Sequence, residues 1–143
     1  MPDSHSSDLD ADFDLLDRLS QVVRDYSFGT IWWVDEEVWV KVLRNYSHSG
    51  REKHPGLSIR NSDLPPQPYI PLLHGRSDIS GGFIVTGVTI KEPSRRTCFQ
   101  FRLRGEISLL DFELRRCFPA EKQKLSEEEM KRFRSELSSK GLL

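Results

Sequence analysis

The chain has 143 residues, of which 30% are charged and 36% hydrophobic, with three Trp and eight Phe. That length fits one domain with a core of its own, and such large apolar residues exclude a disordered chain. The net charge of −1, taken alone, argues against a nucleic-acid partner, and no apolar run is long enough to span a membrane.

The charge is unevenly placed. Residues 1–25 hold seven Asp (Asp3, Asp8, Asp10, Asp12, Asp14, Asp17 and Asp25) against Arg18 and Arg24, so residues 26–143 carry a net +4. This reads either as a solvated acidic helix face or as an acidic segment that shields a basic binding surface. The start, Met1-Pro-Asp-Ser-His, lacks the basic and apolar stretches of a signal peptide, and a cytoplasmic location is expected. Cys98 and Cys117 stand nineteen positions apart without CxxC spacing and are expected to be free thiols, with no metal or nucleophilic role.

In chain order, Leu9, Phe13, Leu16, Leu19, Val22 with Val23, and Tyr26 fall at steps of three and four, which predicts an amphipathic helix over 8–26, closed near Gly29. Residues 1–28 are accordingly set apart as an acidic segment and helix. From Gly29 to Leu43 the sequence reads as strands: Ile31-Trp32-Trp33-Val34, a turn at Asp35-Glu36, then Val38, Val40 and Val42 in alternation. Trp32 and Trp33 point to opposite sides, so at least one is expected to face outward. A polar loop follows from Asn45 to Pro55, then a short strand Gly56–Ile59 and a second loop, Asn61 to Pro68. Tyr69–Leu73 reads as an edge strand, because Pro71 cannot donate to a ladder. Phe83–Ile90 is the longest expected strand, Cys98–Leu103 alternates again, and Ile107–Phe112 is a last strand or a short helix. Ser126 with Glu129 forms a capping box, Met130, Phe133 and Leu137 make the buried stripe, and Gly141 ends the last helix. Short strands without intervening helices predict a mainly β (α+β) fold, a small barrel between two helices.

Two loops gather residues suited to phosphoryl chemistry. Arg51 and Lys53 can hold phosphate oxygens through charge-assisted hydrogen bonds, and His54 titrates near neutrality. His74, Arg76 and Ser77 follow a strand, pairing a proton carrier with a cation. Asp111 is a carboxylate in an apolar stretch, a base or an orienter for histidine. Each group also has a plain reading as a solvated loop or turn, and the tryptophans as core.

Taken together, Gly29–Asp35, Gly50-Arg-Glu-Lys-His-Pro-Gly-Leu-Ser-Ile59, Tyr69–Leu73 and Leu125–Met130 with Gly141-Leu-Leu143 resemble, in order and spacing, the PemK/MazF family of toxins over residues 29–143. The resemblance implies an SH3-like barrel of the CcdB/PemK type and a homodimer. It implies a growth inhibitor that cleaves single-stranded RNA without a metal or cofactor, through attack of the ribose 2′-hydroxyl, and an antitoxin partner that covers the RNA groove. Arg51, His54, His74 and Asp111 would then be the catalytic set, and Lys53, Arg76 and Ser77 would bind substrate. His54 stands where the family usually has Arg before Pro, and His74 and Ser77 stand nearest to its Thr/Ser pair. A non-catalytic SH3-like module binding protein or nucleic acid is the alternative, and the two separate on whether Arg51, His54, His74 and Asp111 converge on one groove.

Overall fold

The computed structural model describes residues 26–46, 50–61, 63–65, 67–89 and 91–142. The expected helix over 8–26 therefore lies almost wholly outside the described residues. Six antiparallel strands form one sheet in the order β4-β5-β3-β2-β1-β6: β1 (Thr30–Asp35), β2 (Lys53–Ser58), β3 (Tyr69–Arg76), β4 (Phe83–Thr86), β5 (Arg96–Ser108) and β6 (Cys117–Lys124). The sheet curls into a half-barrel, joined among the described residues by three helices: α1 (Glu36–Val42), α2 (Leu109–Glu113) and α3 (Glu127–Ser139). The fold is mainly β.

Strand alternation sends side chains to two cores. Ile31, Leu57, Leu73 and Phe99 join Phe28, Phe83, Phe133 and Leu137 beneath α3. Val34, Ile70, Leu72 and Ile107 join Val38 and Trp39 of α1 and Phe112 of α2 on the other side. Trp32 and Trp33 do point to opposite faces, yet both are half-buried, Trp32 against the second core and Trp33 against the first. Trp39 is fully buried.

The α3 boundaries follow the sequence. Ser126 Oγ accepts from the Glu129 amide, the Glu129 carboxylate accepts from the Ser126 amide, and Gly141 (φ +69°) terminates the helix. Phe133 and Leu137 are buried, with Met130 packed against the same core.

Several elements differ from expectation. Val38–Leu43 is not a strand but the body of α1 and its C-cap. The segment satisfies both periods, since Val38, Trp39 and Val42 also fall on one helical face. Glu36 and Glu37 in the first turn and Lys41 in the last suit the helix dipole. Packing of that face overrides the β-propensity of three valines.

Tyr69–Leu73 belongs to β3, which is interior, between β5 and β2. Pro71 is tolerated because its carbonyl accepts from the Ile59 amide just past the last residue of β2. Its nitrogen faces that same strand end, so no ladder bond within β2 is lost.

The longest strand is β5, at 13 residues, whereas β4 stops at Thr86 before Gly87 (φ +78°). After Ile107 and Ser108 finish β5, Ser108 Oγ caps α2 through the Leu110 amide. The strand β6 has no counterpart among the expected elements. Its Pro119, three charged residues and mostly exposed side chains mark a sheet edge rather than a buried strand.

Candidate functional site

Both polar groups expected on loops lie partly on strands. Lys53 and His54 open β2, and His74 and Arg76 close β3. The two strands are hydrogen-bonded neighbours, with Gly56 opposite His74, so the pairing carries both groups to the same end of the sheet. There Arg51, Lys53, His54, Arg76 and Ser77 line one cavity of about 310 Å³, together with Trp33, Asp78, Arg95 and Thr97. Gly75 lies on its wall, and a Cβ there would press on the Phe99 ring at 2.7 Å.

His54 is 4% exposed, and its Nε2 lies 3.1 Å from Oε2 of Glu36, itself buried in the first turn of α1. Burial holds the His54 pKa below its ordinary value. Glu36 opposes that shift, while Arg76 and Arg51 add to it. A neutral imidazole that donates to a carboxylate through Nε2 carries its lone pair on Nδ1.

His74 sits behind His54 with no exposure, the two ring centroids 4.7 Å apart. The Gln100 amide donates to His74 Nδ1 at 3.3 Å. Nε2 therefore carries the proton and donates to Tyr46 Oη at 3.1 Å. Trp39 packs edge-on against the ring at 4.8 Å. Burial, then His54, then Arg76 push the His74 pKa down to about 3. A fully enclosed neutral imidazole cannot touch a bound molecule, so its place is to hold the His54 ring.

The cations around His54 differ in how they are held. Arg76 makes two bonds to Asp78, at 2.9 and 2.7 Å. Arg95 reaches Ser77 Oγ at 2.9 Å and Glu92 at 3.1 Å. Lys53 Nζ stands 4.7 Å from the Phe118 ring centre and 5.4 Å from that of Trp33, a cation–π arrangement.

Asp111 does not join this group. It is buried in α2, where its carboxylate accepts from Lys41 Nζ at 3.1 Å and Arg116 Nη1 at 3.4 Å, and it does not line the cavity. Its role there is to tie α2 to α1. The neighbouring Cys117 thiol is pushed up to about 12 by burial and by the nearby Asp111 and Asp35 charges. Both cysteines are free and buried.

Glu36, Tyr46, Gln100 and Arg95 belong to the site and were missed in the sequence. The basic pair Arg95-Arg96 entering a strand was a usable signal for the last. Glu36 becomes visible only when α1 is known to be a helix, and Tyr46 and Gln100 only through the packing around His74. Among the described residues no group of three or more His, Cys, Asp or Glu is placed to hold a metal ion, and no helix is long and apolar enough to cross a membrane. Compared with family models, curated proteins and solved structures, the chain matches none of them.

Proposed function

We propose that this protein is a metal-independent endoribonuclease of the toxin type, acting on single-stranded RNA from an SH3-like barrel. The reading is carried by one observation: Arg51, Lys53, His54, Arg76 and Ser77, chosen from sequence for phosphoryl chemistry, line a single cavity. A scissile phosphate there meets several cations, which offset the charge that builds on its oxygens. His54 takes the 2′-hydroxyl proton as the 2′ oxygen bonds to phosphorus. The bond from phosphorus to the 5′ oxygen breaks, and the Lys53 ammonium protonates the leaving oxygen. The products are a 2′,3′-cyclic phosphate and a 5′-hydroxyl end. Trp33, beside Lys53, offers a ring on which a flanking base can stack. A homodimer, an antitoxin that covers the cavity and a cytoplasmic setting complete the proposal.

Purified protein free of other chains is expected to cut long single-stranded RNA, with EDTA present or absent, and to leave DNA intact because it lacks the attacking hydroxyl. His54→Ala should lower the rate by about a hundredfold or more, the usual scale for losing a general base. Intact RNA after prolonged incubation, or a His54→Ala variant as fast as the original, sinks the mechanism.

One observation favours the second reading, a non-catalytic module that binds single-stranded nucleic acid. His74 is enclosed and Asp111 is engaged elsewhere, so two of the four expected catalytic residues are not on the cavity. That module would hold RNA with an affinity that falls steeply with salt, and would return it uncut.

A further inference from the structure

A second, larger cavity of about 710 Å³ lies between the chain that leaves β2, the Arg104–Glu106 stretch of β5 and the C-terminal end of α3. Much of its wall is apolar, with Phe28, Leu64, Tyr69 and Leu137 among the lining residues. Arg60 also lines it. Arg60 is only 5% exposed, and among the described residues both Nη1 and Nη2 are buried with no hydrogen-bond partner.

A guanidinium keeps its charge inside proteins and carries donors in a fixed planar fork. A buried charge without an acceptor is among the most unfavourable features a fold can hold. The other arginines on this wall are engaged: Arg104 Nε donates to Glu106 at 2.7 Å, and Arg134 stacks on the Phe28 ring at 4.6 Å. Asp63 and Glu106 line the cavity too, and neither reaches the terminal nitrogens of Arg60.

We propose that this cavity binds a small organic acid with an apolar body, and that the Arg60 side chain, whose fork is closed off in the empty cavity, turns outward to hold the carboxylate. The volume lies within the range of small-molecule sites. A carboxylate matches the fork through two parallel bonds, and the apolar wall takes the body of the ligand. The two acidic side chains on the wall disfavour a phosphate dianion more strongly than a carboxylate monoanion. The cavity shares no lining residue with the one at His54, so the proposal stands apart from the RNA reading.

Calorimetric titration of the full chain with 4-phenylbutyrate and with its neutral amide tests this. The acid is expected to bind at least tenfold more tightly than the amide. Arg60→Met should erase that preference, while Arg51→Ala, in the other cavity, should leave it intact. Leu64→Glu places a carboxylate at a wall position that is 60% exposed, and should weaken the acid at least tenfold without disturbing the fold. If Arg60→Met does not fold, Leu64→Glu decides alone, and unchanged affinity there overturns the proposal. Equal affinities for acid and amide, or no binding of either, overturn it as well. So does a chain that takes up the acid only after the seven aspartates of residues 1–25 become asparagine, which would give Arg60 to the chain's own acidic segment.

Discussion

The core beneath α3 consists almost entirely of apolar side chains, with Phe28, Phe83, Phe99 and Phe133 packed around Leu57, Leu73 and Leu137. The opposite face of the same sheet carries Trp39, Leu72 and Ile107 but also encloses Glu36, His54 and His74. Two faces built on the same strands thus divide the work. Burial of aromatic area on one face supplies stability, while on the other the Glu36 contact and the packed His74 ring hold one imidazole beside a cationic cavity. Polar groups buried in this way help only while every partner is present and in its correct protonation state.

The largest expected difference between the faces is therefore in their response to acid. His74 has a folded pKa of about 3 against an ordinary value of 6.5. Between those values the unfolded chain binds a proton that the folded chain refuses, so stability is complete above about pH 6.5 and falls as pH drops toward 3. At 1.36 kcal/mol per pH unit, the full loss is on the order of 5 kcal/mol. His54, shifted in the same direction, adds to it. Urea unfolding of wild type and His74→Phe at pH 7, 5.5 and 4.5 measures this. The variant should have the shallower pH slope whatever its absolute stability, and parallel slopes would refute the assignment.

Next comes the apolar face itself. Phe133 has no exposure and contacts Phe28 and Phe83 at ring distances of 5.2 and 4.6 Å. Phe133→Ala should cost about 3–5 kcal/mol, with the same loss at pH 7 and pH 5, since nothing it touches on that face titrates there. A smaller contrast tests the end of α3. Ser126→Ala removes one bond of the capping box and should cost about 1 kcal/mol, read as a drop in denaturation midpoint with unchanged slope.

How far these faces could be read from sequence follows the same division. The apolar face was legible because Met130, Phe133 and Leu137 carry a helical period between an unambiguous cap and Gly141. Five residues of the cationic cavity were legible as residue types, and strand pairing brought them together. The segment Val38–Leu43 was misread because three valines at alternate positions look like a strand, although Trp39 and Val42 also complete a helical face. That single misreading concealed Glu36, which looked like a turn residue and is in fact the buried partner of His54. Asp111 stands apart from the cavity for a related reason: a lone carboxylate among apolar residues signals burial, and nothing local reveals that Lys41 and Arg116 are its partners.

The smallest expected effect concerns how tightly the cavity's own charges are held. Arg76 is tied to Asp78 by two short bonds, both side chains reaching solvent, and such exposed pairs contribute little to stability. Asp78→Asn keeps the shape of the side chain and removes its charge, so melting should be almost unchanged. The Arg76 guanidinium is then released toward the cavity, and the repulsion between Asp78 and an incoming phosphate disappears. Affinity for a short single-stranded RNA should rise severalfold at low salt, and the dependence of log affinity on log salt should steepen by about one phosphate contact. Filter binding across a salt series measures both quantities. Unchanged affinity and slope would mean that phosphate does not approach Arg76, and the RNA path would then have to be drawn on the Arg51 and Lys53 side of His54 alone.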